Sequence, residues 1–520
     1  MTDGRRPASL TPFRDRAITR GGGLQDGSRF MTGGPVLAVD QGTSGTKALV
    51  LCPRRGVLGS GTAPVTPRPL PGGRVEVDPG ELYGSVVAAG RAALADAGVP
   101  VVAVGLANQG ETVLAWDPAT GEPLTDALVW QDRRAAGICT ELAPHTDTLT
   151  ELTGLPVDPY FAAPKMAWIR RHATGAGVVT TSDAWLVHRL TGAFVTDAAT
   201  AGRTGLLDPA AVSWSAAALD LYGLGGERLP RIVDCDEPAG TTTAFGPRLP
   251  LTGLVVDQQA ALLAQSATAP AAAKCTYGTG AFLLARTGPL PRRTTTGLVG
   301  CVAWRLRGRT EHCLDGQVYT VASAVRWLTD LGVVGGAGDL DAVGGSVPDS
   351  GGVAFVPALA GLAAPWWRGD ARGTLTGLGL DTGRGHLVRA LVEGIAAQVV
   401  ELAGAAAIDR GAPLESLRAD GGLTRSALLM QTQADLLQLP VEVAALPDAT
   451  ALGVGAMARL GHDPSLAVPE AVPPWKPSAV YEPAISADEA AERLGRFRTE
   501  VTALLDRPSA AGGDALRETA

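Results

Sequence analysis

The stretch Val36–Leu51, VLAVDQGTSGTKALVL, constrains the fold of this chain more than any other. A β-branched apolar strand, Val36 to Val39, runs into Asp40 and Gln41, then a Gly-Thr-Ser-Gly-Thr turn, then Lys47 and a second apolar run. Two apolar strands with so short a polar joint predict a hairpin whose tip offers backbone N–H groups and hydroxyls to an anion. Asp40 stands where the first strand ends, placed to hold water around a divalent cation, while the turn and Lys47 face anionic oxygens. The G-x-x-x-x-G-K-[ST] spacing is absent and a strand follows, so this is not a Walker loop. Gly-Thr-Ser turns are common and an Asp at a strand end also serves as a turn former, so the segment alone leaves both readings open.

A chain of 520 residues is too long for one hydrophobic core, which predicts two domains. With 46% apolar and 18% charged residues it reads as a soluble globular protein, and a net charge of −8 gives no basic footprint for nucleic acid. The six cysteines (Cys52, Cys139, Cys235, Cys275, Cys301, Cys313) form no C-x-x-C and no framework spacing, as in a reduced cytoplasmic protein. No histidine pair has zinc-ligand spacing, and no apolar run reaches the roughly 18 residues of a membrane helix, so no membrane insertion is expected. Residues 1–34, rich in Arg and Gly and ending near a second methionine at Met31, are expected to be a disordered extension or a misplaced start. Residues 507–520 are expected to be a loose tail.

Strand and helix patterns alternate through most of the rest, which argues an α/β fold. VPVVAVGLANQ, Val99 to Gln109, reads as a buried strand ending in polar residues. From His386, Leu387, Leu391, Ile395 and Val399 share one face of a long helix. SLRADGGLTRSALLMQTQADLL reads as a strand, a turn at Gly421 and Gly422, and a helix. The hairpin device also occurs twice. In KCTYGTGAFLLARTG, Tyr277-Gly278-Thr279-Gly280 separates two more strands. Two Gly/Thr hairpins in two halves of similar length predict related domains gripping one phosphate chain, with a division at 35–255 and 256–506.

LTGLVVDQQAALLAQ puts Asp257 between an apolar strand and a helix. As a plain N-cap it needs no further role. As a general base it takes the proton from a substrate hydroxyl that attacks the γ-phosphorus of ATP. Asp40, the two hairpins and Asp257 together supply what such a transfer needs: positioning and neutralised charge.

At this point the sequence resembles the FGGY carbohydrate kinase family, and within it most the glycerol kinases, over roughly Val36 to Gly461. The motifs that carry the resemblance are ANQGETVLAWDPATGEPLTDALVWQDRR, TGLPVDPYFAAPKMAWI (with Lys165 and Trp168), FVPALAGLAAPWWRGDARG, GTLTGLGLDTGRGHLVRALVE and DGGLTRSALLMQTQADLL. The resemblance implies two actin-like (ribonuclease-H-like) domains closing on ATP and a small polyol or sugar. It implies Asp257 as catalytic base and Asp40 as the acid that holds Mg²⁺ through water, with Asp257 beside the ion. Thr43, Ser44 and Lys47 match the first phosphate hairpin, with lysine where the family's glycerol kinases have arginine. Gly278, Thr279 and Gly280 match the second hairpin, and Gly421 and Gly422 match the turn under the adenosine. Glu111, Tyr160, Asp257 and Gln258 match hydroxyl-binding positions, and Trp130 and Phe282 the aromatic walls. The family also implies a homodimer or homotetramer.

Some positions depart from the family pattern. Gly110 replaces an arginine that would donate to a terminal hydroxyl. Either another group supplies the donor and glycerol remains the substrate, or the space admits a tetritol or a ketose such as xylulose or ribulose. Ala322 and Arg326 replace a glycine and a glutamine on the nucleotide side, and Ser426 stands at a base-contacting asparagine position. An actin-fold ATPase without a catalytic role would not need Glu111, Tyr160 and Gln258 together, and a sugar sensor would not need Asp257.

Overall fold

The computed structural model describes residues 33–507 except Pro447, so the expected extension and tail lie almost wholly outside the described residues. The first strand, β1 (Val36–Gln41), turns back into β2 (Gly45–Cys52) with Asp40 opposite Lys47, and β3 (Gly56–Pro64) adds antiparallel to β2. Helix α1 (Pro79–Ala97) then crosses the sheet. Asp78 accepts from the Gly80 N–H at its start, Gly98 ends it in the left-handed region, and Leu82, Val86, Ala89 and Ala93 are buried against the strands. Strand β4 (Ala103–Asn108) returns parallel to β1. A long excursion follows. It carries helix α2 (Ala162–His172) and three strands that complete a small five-stranded sheet begun by Arg68–Leu70 and Arg74–Val77 before α1, and then β5 (Leu249–Val256) pairs parallel with β4. The order along this sheet is β3-β2-β1-β4-β5, with a two-residue strand at the far edge.

Helix α3 (Asp257–Ser266) leads into the second half. There β6 (Ala272–Tyr277) and β7 (Ala281–Gly288) form the second hairpin, and β8 (Val299–Leu306) and β9 (Arg309–Val318) extend the antiparallel ladder. After helices α4 (Ala322–Asp330) and α5 (Arg384–Arg410), strand β10 (Ser416–Asp420) pairs parallel with β6. Helix α6 (Ala427–Leu437) and parallel strand β11 (Val441–Ala444) follow. The order β9-β7-β6-β10-β11 repeats that of the first half: a hairpin pair and a third antiparallel strand on one side, two parallel strands on the other. The repetition predicted from two short Gly/Thr turns therefore extends to whole sheets. Helix α5 buries Leu391, Ile395 and Val399, as its periodicity predicts. Among the described residues it is the one helix long and apolar enough to cross a membrane, and it lies mostly inside the core.

Helix α7 (Ala449–His462) crosses back to the first half. It lies on β1, β4, β5 and α3, and its Ala451, Val454 and Met457 share one apolar cluster with Val36, Ala38, Ala103 and Val255. The approach is closest at glycines. A Cβ on Gly453 would stand 1.8 Å from the Ala260 carbonyl oxygen.

Candidate active site

Parallel pairing brings the carboxyl ends of β1, β4 and β5 level, since Asp40 lies opposite Ala107 and Val256 opposite Asn108. Asp40 thus ends one strand and Asp257 follows another two strands away. In the second half Asp420 ends β10 opposite Thr276, one residue before the Tyr277 turn. A cleft of about 490 Å³ opens between the halves, with Thr43, Glu111, Asp257, Thr279 and Asp315 in its walls. A second cavity of about 470 Å³ shares Gly278 and Thr279 with it and extends between Ala322, Asp341 and Gly422. The second Gly/Thr turn therefore stands at the junction of the two chambers.

Both hairpin tips are closed by their own backbone. Gly42 N–H donates to Gly45 O at 3.0 Å, and Gly278 N–H to Gly280 O at 2.8 Å. Thr43 Oγ1 accepts from Trp130 Nε1 at 2.8 Å, which ties the first tip to the aromatic wall. Lys47 has a partner within the chain. Its ammonium pairs with Asp448 at 2.5 Å instead of standing free toward the hairpin tip, because the loop before α7 brings a carboxylate beside it. Burial, followed by the nearby charges of Asp257 and Asp448, raises the Asp40 carboxyl to about 8. Asp420 Oδ1 and Thr276 Oγ1 are buried without hydrogen-bond partners. Crowded carboxylates of this kind are chemically suited to a hydrated divalent cation held between them and a phosphate. Among the described residues no three His, Cys, Asp or Glu side chains form a cage of their own, in keeping with a cation shared with its ligand.

Asp257 is the first residue of α3, and its Oδ1 accepts from the N–H of Gln258 at 2.7 Å. Burial raises its carboxyl above the usual range, while the Lys274 ammonium opposes the shift. Lys274 is itself fully buried and donates to Gln258 Oε1. A carboxylate first in its helix, raised by burial against the pull of Lys274, Gln258 and Arg203, is equipped to accept a proton from a group in the cleft.

The opposite wall is built around Glu111, whose backbone sits in the left-handed region at φ 58°. Such strain in a residue with a side chain is characteristic of functional sites. Glu111 Oε1 accepts from Arg203 Nε at 2.7 Å, and Arg203 Nη1 pairs with Asp315 at 2.8 Å. Burial raises the Glu111 carboxyl to about 7 against the opposing pull of Arg203. Arg203 Nη2 and Asp315 Oδ1 have no partner within the protein, leaving hydrogen-bonding capacity in the cleft wall. Trp130 meets Tyr160 and Phe282 edge to face, at centroid distances of 5.7 and 6.1 Å. Tyr160 is held from behind. Lys165 of α2 donates to the carbonyls of Pro159, Tyr160 and Phe161 at 2.8, 2.6 and 2.7 Å.

On the nucleotide side, Gly421 adopts φ 96°, and a Cβ there would stand 2.5 Å from the Tyr277 carbonyl oxygen. Only glycine lets the two turns stack so closely. Gly422 beside it faces open space. Ser426 lines the second cavity, but its hydroxyl is engaged: it bonds Asp341 and accepts from Leu429 N–H at 3.1 Å as the cap of α6. Arg326 lines the first chamber, with Thr43 and Thr279, and not the second.

Thr43, Ser44, Gly278, Thr279, Glu111, Trp130, Tyr160, Asp257, Gln258 and Phe282 thus line one connected cavity system, with Gly422 and Ser426 in its second chamber, whereas Asp40, Lys47, Gly280 and Gly421 do not line either chamber. Arg203, Lys274 and Asp315 were not singled out by sequence reasoning. The available signal was a lone charge inside an apolar strand, as in AAKCTY and HCLDGQV. Arg203, in the tight AGRTG segment after a short helix, had no comparable signature.

Comparison with known proteins decides the family. The model for the N-terminal domain of the FGGY family of carbohydrate kinases matches residues 35–264, and that for its C-terminal domain matches residues 273–460. The chain belongs to the FGGY family of carbohydrate kinases. A glycerol kinase of Aromatoleum aromaticum is 42% identical over 484 residues, covering 90% of this chain and 98% of that protein. A glycerol kinase of Gloeobacter violaceus is 42% identical over 82% of this chain and 88% of that protein. The crystal structure of Plasmodium falciparum glycerol kinase with ADP superposes with a TM-score of 0.82 at 28% identity, covering 92% of this chain and 99% of that one. A ligand-bound xylulose kinase from Lactobacillus acidophilus gives the same TM-score, 0.82, at 20% identity over 92% of this chain and 99% of that one, a likeness of fold alone. This FGGY kinase is an ATP-dependent phosphotransferase with the two-domain actin-like architecture of its family.

Proposed function

We propose that this FGGY kinase transfers the γ-phosphoryl group of ATP to a terminal hydroxyl of glycerol, forming glycerol 3-phosphate. The observation that carries the proposal is the joint presence of Glu111, Tyr160, Asp257 and Gln258 in one chamber walled by Trp130 and Phe282. A polyol has hydroxyls that need carboxylate and amide partners and a C–H side that needs an apolar wall. In the proposed reaction the Asp257 carboxylate takes the hydroxyl proton as the oxygen attacks the γ-phosphorus. The new O–P bond forms as the bond to the β-phosphate bridging oxygen breaks, and ADP leaves. Glu111 and the free Nη2 of Arg203 orient the remaining hydroxyls. Gly278, Thr279 and Gly280 would cradle the β- and γ-phosphates, Thr43, Ser44 and Lys47 would flank them, and Gly421 and Gly422 would support the adenosine. Mg²⁺, when bound, neutralises charge on the phosphate oxygens, and Asp40 would hold it through water beside Asp257. We infer a cytoplasmic setting, supported by six cysteines of which none is in a disulfide.

Gly110 favours a second reading. The nearest atom to a Cβ built there is Val256 Cγ2 at 3.1 Å, with nothing else within 4 Å, so this side of the chamber has little filling it. The test is ADP release with Mg-ATP against glycerol, erythritol, threitol, dihydroxyacetone, xylulose and ribulose. The proposal expects glycerol to give the highest kcat/KM, with Arg203 supplying the guanidinium. A four- or five-carbon substrate winning by more than about tenfold would move the assignment to that substrate.

The proposed role of Glu111 sets an acid limb. It must be a carboxylate to accept from Arg203 and a substrate hydroxyl, and its carboxyl lies at about 7. The kcat/KM for polyol is therefore expected to fall as pH drops below about 7. Glu111→Gln should flatten that limb at the expense of a higher KM; an unchanged limb in the variant would reassign it to another group.

A further inference from the structure

Directly behind the Arg203–Asp315 pair, Cys301 on β8 and Cys313 on β9 stand opposite one another in register. Their sulfurs are 3.6 Å apart, and each residue is 1% exposed. Cys301 Sγ also accepts from Arg203 Nη1 at 3.7 Å and from Gln259 Nε2 at 3.6 Å. One sulfur therefore touches both the arginine that braces Glu111 and the helix that begins with Asp257. Directly opposed residues on antiparallel strands have Cα separations of about 4.5–5.5 Å, inside the range a disulfide spans. Closing the pair to a bond of about 2.05 Å needs side-chain rotation and no strand movement.

We propose that Cys301 and Cys313 form a redox-active dithiol in the floor of the substrate chamber, and that its oxidation to a disulfide weakens the hold on the polyol. The two thiols share one S–H···S contact, and the Arg203 guanidinium lies against Cys301 and not Cys313, which lowers the Cys301 thiol and leaves Cys313 above its ordinary range. Cys301 is thus the attacking sulfur. With hydrogen peroxide as oxidant, the Cys301 thiolate attacks one peroxide oxygen, an S–O bond forms, and the O–O bond breaks to release hydroxide. Cys313 then attacks the resulting sulfenic sulfur. The S–S bond forms, the S–OH bond breaks, and water leaves with the Cys313 proton. Two thiols are oxidised and one peroxide is reduced to two waters. The disulfide draws the Cys301 sulfur toward Cys313 and away from Arg203 and Gln259. Since Arg203, Gln259 and Asp315 line the chamber, the oxidant enters from the cleft and a bound polyol hinders it.

The effect on turnover rests on the polyol kinase reading, but the disulfide does not. The purified full chain is treated with peroxide, free thiols are alkylated, and digested peptides are mapped by mass spectrometry. The expected result is a Cys301–Cys313 link that dithiothreitol reverses and that glycerol slows. With it, KM for the polyol rises about fivefold, the worth of roughly one hydrogen bond. Cys313→Ser should abolish both the link and the peroxide-dependent rise. Absence of the link while the half-exposed Cys52 is oxidised overturns the proposal, and a link that leaves KM and kcat unchanged overturns the coupling to substrate. A chain that forms the link but phosphorylates no polyol upholds the dithiol and overturns the proposed function instead.

Discussion

Replacing Asp257 with asparagine is expected to lower kcat by about 10²–10⁴-fold while leaving nucleotide binding intact, the range a positioned general base contributes. Asparagine keeps the shape and can still accept from the Gln258 N–H, which Asp257 Oδ1 does at 2.7 Å. What it loses is the capacity to take a proton. Burial holds the carboxyl above the usual range and Lys274 opposes the shift, which moves it toward the basicity a proton acceptor needs. Steady-state ADP release with polyol measures the loss, and calorimetric titration with ADP checks the nucleotide site. A variant keeping more than about a tenth of wild-type kcat would return Asp257 to the role of a helix-initiating residue.

The second large effect is expected at Arg203. Its side chain is about 3% exposed and is shared by Glu111 and Asp315, which are 5% and 3% exposed. Arg203→Met keeps much of the volume and leaves two buried carboxylates facing one another without a cation. Breaking a buried pair in this way costs about 3–5 kcal/mol. The sign with pH follows from the same groups. Burial already raises both carboxyls, and without Arg203 they rise further, so the folded state binds protons that the unfolded chain releases. Stability of the variant is therefore retained at low pH and lost as pH climbs through those raised values. Thermal melts at pH 5 and pH 8 should show a deficit against wild type that is larger at pH 8, together with a KM for polyol at least about tenfold higher. An equal deficit at both pH values would mean that the variant suffers only from lost packing. Arg203→Lys should not restore KM, because one ammonium cannot reach both carboxylates in the planar geometry of the guanidinium.

What could be read from the sequence was local. The two hairpins announce themselves because turn, flanking strands and polar tip are contiguous, and Asp257 because strand and helix periodicities meet at it. The family motifs then linked these segments across the chain. The partners of each charge were harder to read, because they depend on which strands lie side by side. Lys47 was expected to face anionic oxygens, but a carboxylate some 400 positions away, Asp448, lies against it. The donor missing at Gly110 raised the question of a substitute. Arg203 stands in the same chamber, in a segment whose small residues gave no warning of a buried cation. Cys301 and Cys313 looked like two of six scattered thiols until β8 and β9 set them in register.

Helix α7 has a consequence for how the chain can be handled. Its residues come from the last fifth of the sequence, yet they share a cluster with Val36, Ala38, Leu49 and Ala103 from strands near the beginning. A fragment ending after β5 would expose the sheet face that α7 covers, and a fragment starting at α3 would keep α3 against α7 but leave bare the face of α7 that packs on β1, β4 and β5. Each piece loses part of the shared apolar cluster, so halves made separately are expected to aggregate and to recover activity only when mixed during refolding. Cutting and rejoining the molecule elsewhere, as in a circular permutant, has to keep the early strands and the late helix in one chain.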